Sequence, residues 1–352
     1  MKTSKPLVFD GHNDVLSKIF SEGGIAKAAS FYKGRKGALD LQKAQLGGFG
    51  GGFFAVYVPS QFDLEFSYQE MEKAQYNLPL PDPIEWSEAV GVVASQVAIL
   101  LELERLGGLV ICRRVSDIRN AFSEGKIAAI FHIEGAEAID PNLNMLDVLH
   151  SAGLRSIGPV WSRPTIFGQG VPFSFPSSPD IGSGLTERGI ALVKRCNELK
   201  IMLDLSHLNE AGFWDVAHNS EAPLVATHSN AHLITPHSRN LTNDQLRAIA
   251  DSDGMVGLNF ATAFLREDGK MLADVPMTQI LKHLDYLIDV LGEDRVGFGS
   301  DYDGAVMPDQ LSDVSGLPNL RHAMTDHGYD EILIKKICYE NWLRVLEKTW
   351  GS

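Results

Sequence analysis

"VFDGHNDVL", residues 8–16, sets a short apolar run against a histidine and two carboxylates within a few positions. Val8 and Phe9 suit a buried strand, whereas Asp10, His12 and Asp14 are costly to bury unless something pairs with them. His12 and Asp14 lie two apart, so on extended backbone both side chains point the same way. An apolar strand that ends in an imidazole and a carboxylate on one face is what a parallel barrel delivers to its active-site rim. Asp10, four residues before Asp14, reads as support for the strand or for its ligands rather than as a ligand.

Seven further segments share the apolar body: "GGFFAVYV" (51–58), "IAAIFHIEG" (127–135), "LRSIGPVW" (154–161), "IMLDLSH" (201–207), "PLVATHS" (223–229), "MVGLNF" (255–260) and "RVGFGSD" (295–301). Their cores are nearly continuous rather than alternating, as expected for parallel strands covered on both faces. Helical patterns lie between them. The longest is "SEAVGVVASQVAILLELERLG" (87–107), with Ser87 as a candidate N-cap and Gly107 as the stop. "NMLDVLHSAG", "TERGIALVKRCNELK", "NEAGFWDVAHN", "TNDQLRAIADS" and "TQILKHLDYLIDVLGED" follow in the same style. Eight alternations of strand and helix predict an α/β fold, a single (β/α)8 barrel (TIM barrel) over residues 1–352. Two long loops, about 59–86 and 161–185, exceed what a minimal barrel needs and are expected to wall or lid the pocket. The tail, about 329–350, reads as a closing helical segment packed back on the barrel.

Bulk properties narrow the partners. With 44% hydrophobic and 22% charged residues, the 352-residue chain has the composition of a soluble globular protein. A formal net charge of −14 disfavours nucleic acid and anionic membrane surfaces, both of which need a basic face. Three scattered cysteines, Cys112, Cys196 and Cys338, make no disulfide framework and suit a reducing compartment. No apolar stretch has the length of a secretory or spanning segment, so a cytoplasmic location is expected.

Metal-competent residues fall at the strand ends: His12 and Asp14 after the first, Glu134 after the third, His207 after the fifth, His228 after the sixth, Asp301 after the eighth. Any one of them alone is more simply a satisfied structural group, and Asp301 with Asp303 could belong to an Asx-type turn. Together on one rim they are hard to bury without a cation. Imidazole plus carboxylate suits Zn²⁺, with Mn²⁺, Co²⁺ or Fe²⁺ open to the same set. Glu134, between the two groups, could place one oxygen on each of two ions with a water held between them. Of the other histidines, His132 could pack or support a ligand, and His232 and His237 could line the pocket. His150 reads as a helix C-terminal charge, and His283 as a surface or helix residue.

At this point the chain resembles the membrane (renal) dipeptidase family of the amidohydrolase superfamily. The motifs that carry the likeness run in order from "DGHND" through "HIEGAEAI", "DLSH", "ATHSNAH", "SRNLTNDQL" and "GSDYDG" to "NWLRVL". The resemblance implies a metal-dependent dipeptidase of soluble, bacterial type with two divalent ions, expected to be zinc. It implies that His12 and Asp14 bind one ion, His207 and His228 the other, and that Glu134 bridges them. Asp301 would handle protons and Arg239 would receive the substrate's free carboxylate. One departure is visible: where the family often has a histidine after the fourth strand, this chain has Trp161, whose indole can donate one hydrogen bond but cannot become cationic. Trp161 is accordingly read as a substrate-binding residue. The expected substrate is a dipeptide, L-Xaa-L-Xaa or L-Xaa-D-Xaa, and the expected assembly a homo-oligomer (dimer). Two alternatives share the sequence: an amidohydrolase of N-acyl amino acids or other carboxylate-bearing amides, and a catalytically silent peptide-binding barrel.

Overall fold

The computed structural model describes residues 6–60 and 64–351. Its strands, in chain order, are β1 (Val8–Asn13), β2 (Phe49–Tyr57), β3 (Tyr76–Asn77), β4 (Leu109–Ile111), β5 (Ile127–Glu134), β6 (Leu154–Ile157), β7 (Ser174–Phe175), β8 (Met202–Leu203), β9 (Val225–Ala226), β10 (Met255–Leu258) and β11 (Val296–Phe298). A parallel ladder runs β8-β6-β5-β2-β1-β11-β10-β9. Its open edges meet through a bridge between Asp204 and Val225, where Leu205 N–H donates to the Val225 carbonyl at 2.9 Å. All eight of the anticipated strands are therefore barrel staves, closed into a (β/α)8 barrel with helices between them.

Two strand features go beyond the sequence expectation. β4 pairs with the start of β5 (Leu109 opposite Ile127), while β6 takes the end of the same edge (Ile157 opposite Ile133). β3 and β7 form an antiparallel pair, Tyr76 opposite Phe175, and so join the two long loops to each other. The first of those loops also carries a helix, Leu64–Met71. Above the barrel mouth these insertions build a small separate core from Met71, Tyr76, Leu78, Phe175, Phe264 and Met271. Tyr76 fastens it by donating its hydroxyl to the Gly269 carbonyl at 2.6 Å.

The helices follow their caps. Thr186, Asn209 and Thr242 each accept a backbone N–H from the residue three further on. The longest helix departs from its expected start. It spans Trp86–Leu106, with Glu85 in the N-cap position and no side-chain cap, so Ser87 lies inside the first turn. The Trp86 indole donates to the Ala138 carbonyl at 3.0 Å, which fixes the helix start two residues earlier than a Ser87 cap would. Gly107 ends it in the left-handed region, φ 99°, as its position suggested.

The barrel floor is closed from below by the C-terminal segment, helices Glu331–Lys335 and Asn341–Trp350 around a π-helical turn, Lys336–Glu340. The fully buried Trp342 enters the barrel, packs 5.1 Å from the Phe53 ring and donates its indole N–H to the Phe298 carbonyl at 3.0 Å. Room for it comes from Gly11, Gly257 and Gly297, where a Cβ would collide with the indole. Phe9, Ile130, Met202 and Met255 complete this lower layer. Polar residues begin one layer higher.

Candidate metal centre and active site

Glu134 stands at the middle of the rim. Its Oε1 lies 3.0 Å from His207 Nε2, 3.4 Å from His228 Nε2 and 3.7 Å from His12 Nε2. The Nε2 atoms of His207 and His228 are 3.2 Å apart, and His12 Nε2 is 3.3 Å from Asp14 Oδ2. Two clusters with metal-ligand geometry result, Glu134–His207–His228 and His12–Asp14–Asp301; His12, Asp204 and His228 make a third. The sequence-derived residues are thus brought together from five strand ends. Both ring nitrogens of His12 are buried without a hydrogen-bond partner, an expensive arrangement for a lone imidazole.

The surroundings fix the tautomers. Thr227 Oγ1 donates to Asp204 Oδ2 at 2.7 Å, so its lone pair is left to accept from His228 Nδ1 at 2.8 Å. His228 then carries its proton on Nδ1 and turns a bare Nε2 toward Glu134. Asp204 is held in turn by Ser206 Oγ and by the Thr227 N–H. His207 Nδ1 meets Ser162 Oγ at 2.9 Å, and its Nε2 faces Glu134. His132 lies deeper, its ring 5.6 Å from that of His12, and bonds Ser156 through Nδ1. The sequence does not mark the tasks of Asp204, Thr227, Ser156 and Ser162, because all but Thr227 lie far along the chain from the histidine they serve.

Electrostatics favour a cation here. Burial, followed by the charge of His12 or Arg239, pushes His228 and His207 well below the usual imidazole range, so both are neutral donors of electron pairs. Burial opposes charge on His12 too, but the carboxylates of Glu134 and Asp14 outweigh it and lift this imidazole to about 10. Burial raises Glu134 well above its ordinary value and also raises Asp301. A group of carboxylates that lifts a neighbouring imidazole this far is one that a divalent ion would satisfy better.

Asp301 follows β11 with φ +64°, a conformation that aspartate tolerates better than most residues. Its N–H donates to the His12 carbonyl at 3.0 Å, and Asn259 donates to its Oδ2 at 2.9 Å. Gly304 lies so close that a Cβ there would strike both Asp14 and Asp301 carboxylates. Asp10 takes the supporting role expected of it: its two oxygens accept the N–H and hydroxyl of Ser300 at 2.6 and 2.7 Å, tying β1 to the end of β11.

Above the cluster opens a cavity of about 710 Å³ whose wall includes Asp14, Glu134, His207, Asp301, Trp161 and Phe173. Both long loops contribute to that wall, as expected. The Trp161 ring lies 5.7 Å from His207 and 5.1 Å from Tyr57. Behind it the buried Arg163 sits 5.6 Å from the indole and is held by Glu137 at 2.6 Å. Arg239 is also buried, one layer behind the wall, 5.4 Å from the ring of Phe264, which does line the cavity. Its Nη1 donates to Ser206 O and Ser229 Oγ and its Nη2 to His228 O, all neutral acceptors, and its Nε has none. Neither His232 nor His237 lines the cavity: His232 binds the Ser177 carbonyl at 2.7 Å, and His237 is buried behind Phe264.

One histidine behaves otherwise than its position suggests, and another adds burial to the helix expected of it. His150 is held below the usual range by burial and by Arg155, so the charge at that helix end is supplied instead by Arg155, which donates to the His150 carbonyl at 3.1 Å. His283 is helical but fully buried.

The chain is similar to several known proteins. Residues 3–350 match the family model described as membrane dipeptidase (peptidase family M19). The crystal structure of a metallopeptidase from Rhodobacter sphaeroides, liganded with a phosphinate mimic of the dipeptide L-Ala-D-Ala, is 53% identical, with a TM-score of 0.97 over 99% of this chain and 100% of that one. An uncharacterized protein of the pqqA 5' region of Klebsiella pneumoniae is 48% identical over 265 residues, 75% of this chain and 98% of its own length. A probable dipeptidase, PvdM, from Pseudomonas aeruginosa shares the fold at 22% identity, with a TM-score of 0.84 over 98% of this chain and 96% of its own. The chain belongs to the membrane dipeptidase family, peptidase family M19. It is a metal-dependent dipeptidase, and the histidines and carboxylates of its rim form clusters that could hold a divalent metal ion. No helix among the described residues is long and apolar enough to cross a membrane.

Proposed function

We propose that this chain hydrolyses dipeptides with a free C-terminal carboxylate at a two-ion centre, zinc in both positions, and that Asp301 manages the protons. The observation that carries the reading is the position of Glu134, with one oxygen 3.0–3.7 Å from imidazole nitrogens of both halves of the rim. His12 and Asp14 would hold one ion, His207 and His228 the other, with Glu134 shared. Bound there, the pair of ions supplies Lewis acidity and an acidified water.

The chain's own residues do the rest. Asp301, raised by burial and steadied by Asn259, is poised to accept a proton from the attacking water and return one to the leaving amine. Arg239, buried one layer behind the cavity wall with neutral acceptors only, carries an uncompensated charge that draws the substrate's carboxylate. Fixing that carboxylate limits the chain beyond the scissile bond to one residue. Trp161 and Tyr57 wall the cavity over His207 and help to keep water out. The ligand of the Rhodobacter structure ends in a D-residue, and we extend the same tolerance, L-Xaa-L-Xaa and L-Xaa-D-Xaa alike, to this chain.

A panel of both dipeptide classes beside N-acetyl amino acids tests this. Turnover of dipeptides, lost on chelation and restored by about two equivalents of Zn²⁺, is the expected result. Turnover confined to the N-acyl compounds would replace the reading by the amidohydrolase one, and full metal loading with no turnover of either would leave a binding protein.

A further inference from the structure

Arg239 arrives at the site on a segment, His237–Ser238–Arg239, whose first two residues take no part in the chemistry. Ser238 stitches the segment to the second long loop. Its hydroxyl donates to the Pro172 carbonyl and accepts the Ser174 N–H at 3.1 Å, and its N–H donates to the Ser174 carbonyl at 3.2 Å. His237 is fully buried and accepts the Arg239 backbone N–H on Nδ1 at 3.0 Å. With Nδ1 an acceptor, the neutral ring keeps its proton on Nε2. Burial and the adjacent Arg239 charge hold the imidazole well below its ordinary range, so it stays in that form. The ring packs 4.6 Å from Phe264 and 5.8 Å from Tyr76, two members of the core over the barrel mouth.

Arg239 is therefore held at two ends. Backbone carbonyls beside the two rim histidines grip the guanidinium, and His237 grips the main chain. Its Nε and the Nε2 of His237 are left without partners among the described residues. We infer that His237 is a positioning residue for substrate binding: its Nδ1 sets the Arg239 main chain so that the guanidinium meets the substrate's carboxylate. The ring ties that setting to Tyr76 and Phe264, so the packing of the inserted loops governs carboxylate recognition. This rests on the assignment of Arg239 to the carboxylate.

The test uses the metal-loaded enzyme, a dipeptide that it hydrolyses and the C-terminal amide of that dipeptide. His237→Asn keeps an acceptor where Nδ1 stood, His237→Gln moves it outward, and His237→Leu removes it; Arg239→Met serves as reference. His237→Leu and His237→Gln are expected to raise KM for the free acid by about tenfold, the scale of one well-placed hydrogen bond, with kcat and the amide's KM changed less than about twofold. His237→Asn is expected to stay within about threefold of the parent. The inference is overturned if His237→Leu keeps the parent preference for acid over amide while Arg239→Met loses it. It is equally overturned if His237→Asn loses that preference as fully as His237→Gln, a pair that decides the matter even should the leucine variant fail to fold. If the parent and Arg239→Met show the same acid-to-amide ratio, the carboxylate assignment itself falls and takes the role of His237 with it.

Discussion

Asp301 gathers several costs in one half-buried residue: a left-handed backbone, a desolvated carboxyl and the nearby carboxylate of Asp14. Such a group is kept ionisable by its neighbours, here the Asn259 amide, which an asparagine at 301 could still satisfy. Asp301→Asn should therefore leave the divalent-metal content unchanged while kcat falls by about 10²–10⁴. Metal analysis beside steady-state kinetics checks both halves, and near-parental turnover would remove Asp301 from proton transfer. At this scale the rim is legible in the sequence, because each of its residues terminates an apolar run. The residues that orient it are not. Thr227 looks incidental in "ATHS", and its value lies in linking the His228 Nδ1 proton to Asp204, a residue from a different strand. His237 reads from the sequence only as a pocket candidate, whereas its role is through Arg239.

Single elements show the same division. The barrel strands announce themselves by burial on both faces, a local property of sequence. β3 and β7 are two residues each and are strands only because they find one another across about a hundred positions, which no local pattern encodes. Helix Met277–Leu291 adds a polar residue to an otherwise apolar face, and that residue has a defined task. His283 accepts the Ala231 N–H on Nδ1 and donates from Nε2 to the Leu265 carbonyl at 3.0 Å, holding the loop after β9. A second proton would collide with the Ala231 N–H. Burial accordingly lowers this imidazole to about 4 from an ordinary 6.5. Folding thus excludes a proton that the unfolded chain binds. The stabilisation is complete above about pH 6.5 and declines as pH falls toward 4, by about 3 kcal/mol in all. Denaturant titrations should show the stability gap between the parent and His283→Asn narrowing over that interval; a gap independent of pH would contradict the assignment.

Across the whole molecule, chemistry and stability occupy opposite ends of one barrel. Above lie the rim, the cavity and the inserted loops; below lies a dry layer in which Trp342 fills space that three glycines vacate. The likeness of "NWLRVL" to the family motifs marks this tail as meaningful, but its place inside the barrel cannot be read from it. Trp342→Ala should cost about 3–5 kcal/mol in urea denaturation, the range for deleting a large buried side chain, because rigid strands cannot collapse into the void. A loss below about 1 kcal/mol would mean that the floor is not sealed in this way.

The location of that plug has a temporal side. β1 needs β11 as a neighbour, and the floor needs the ten-residue helix Asn341–Trp350, so segments far apart in sequence complete the same enclosure. During synthesis every stave but the last can emerge while the bottom of the cylinder still stands open, its aromatic residues wetted. Only when the helix Asn341–Trp350 has emerged from the ribosome can the indole enter. The finished barrel thus waits on a segment made after its staves, and until then the nascent protein depends on whatever shields its hollow end.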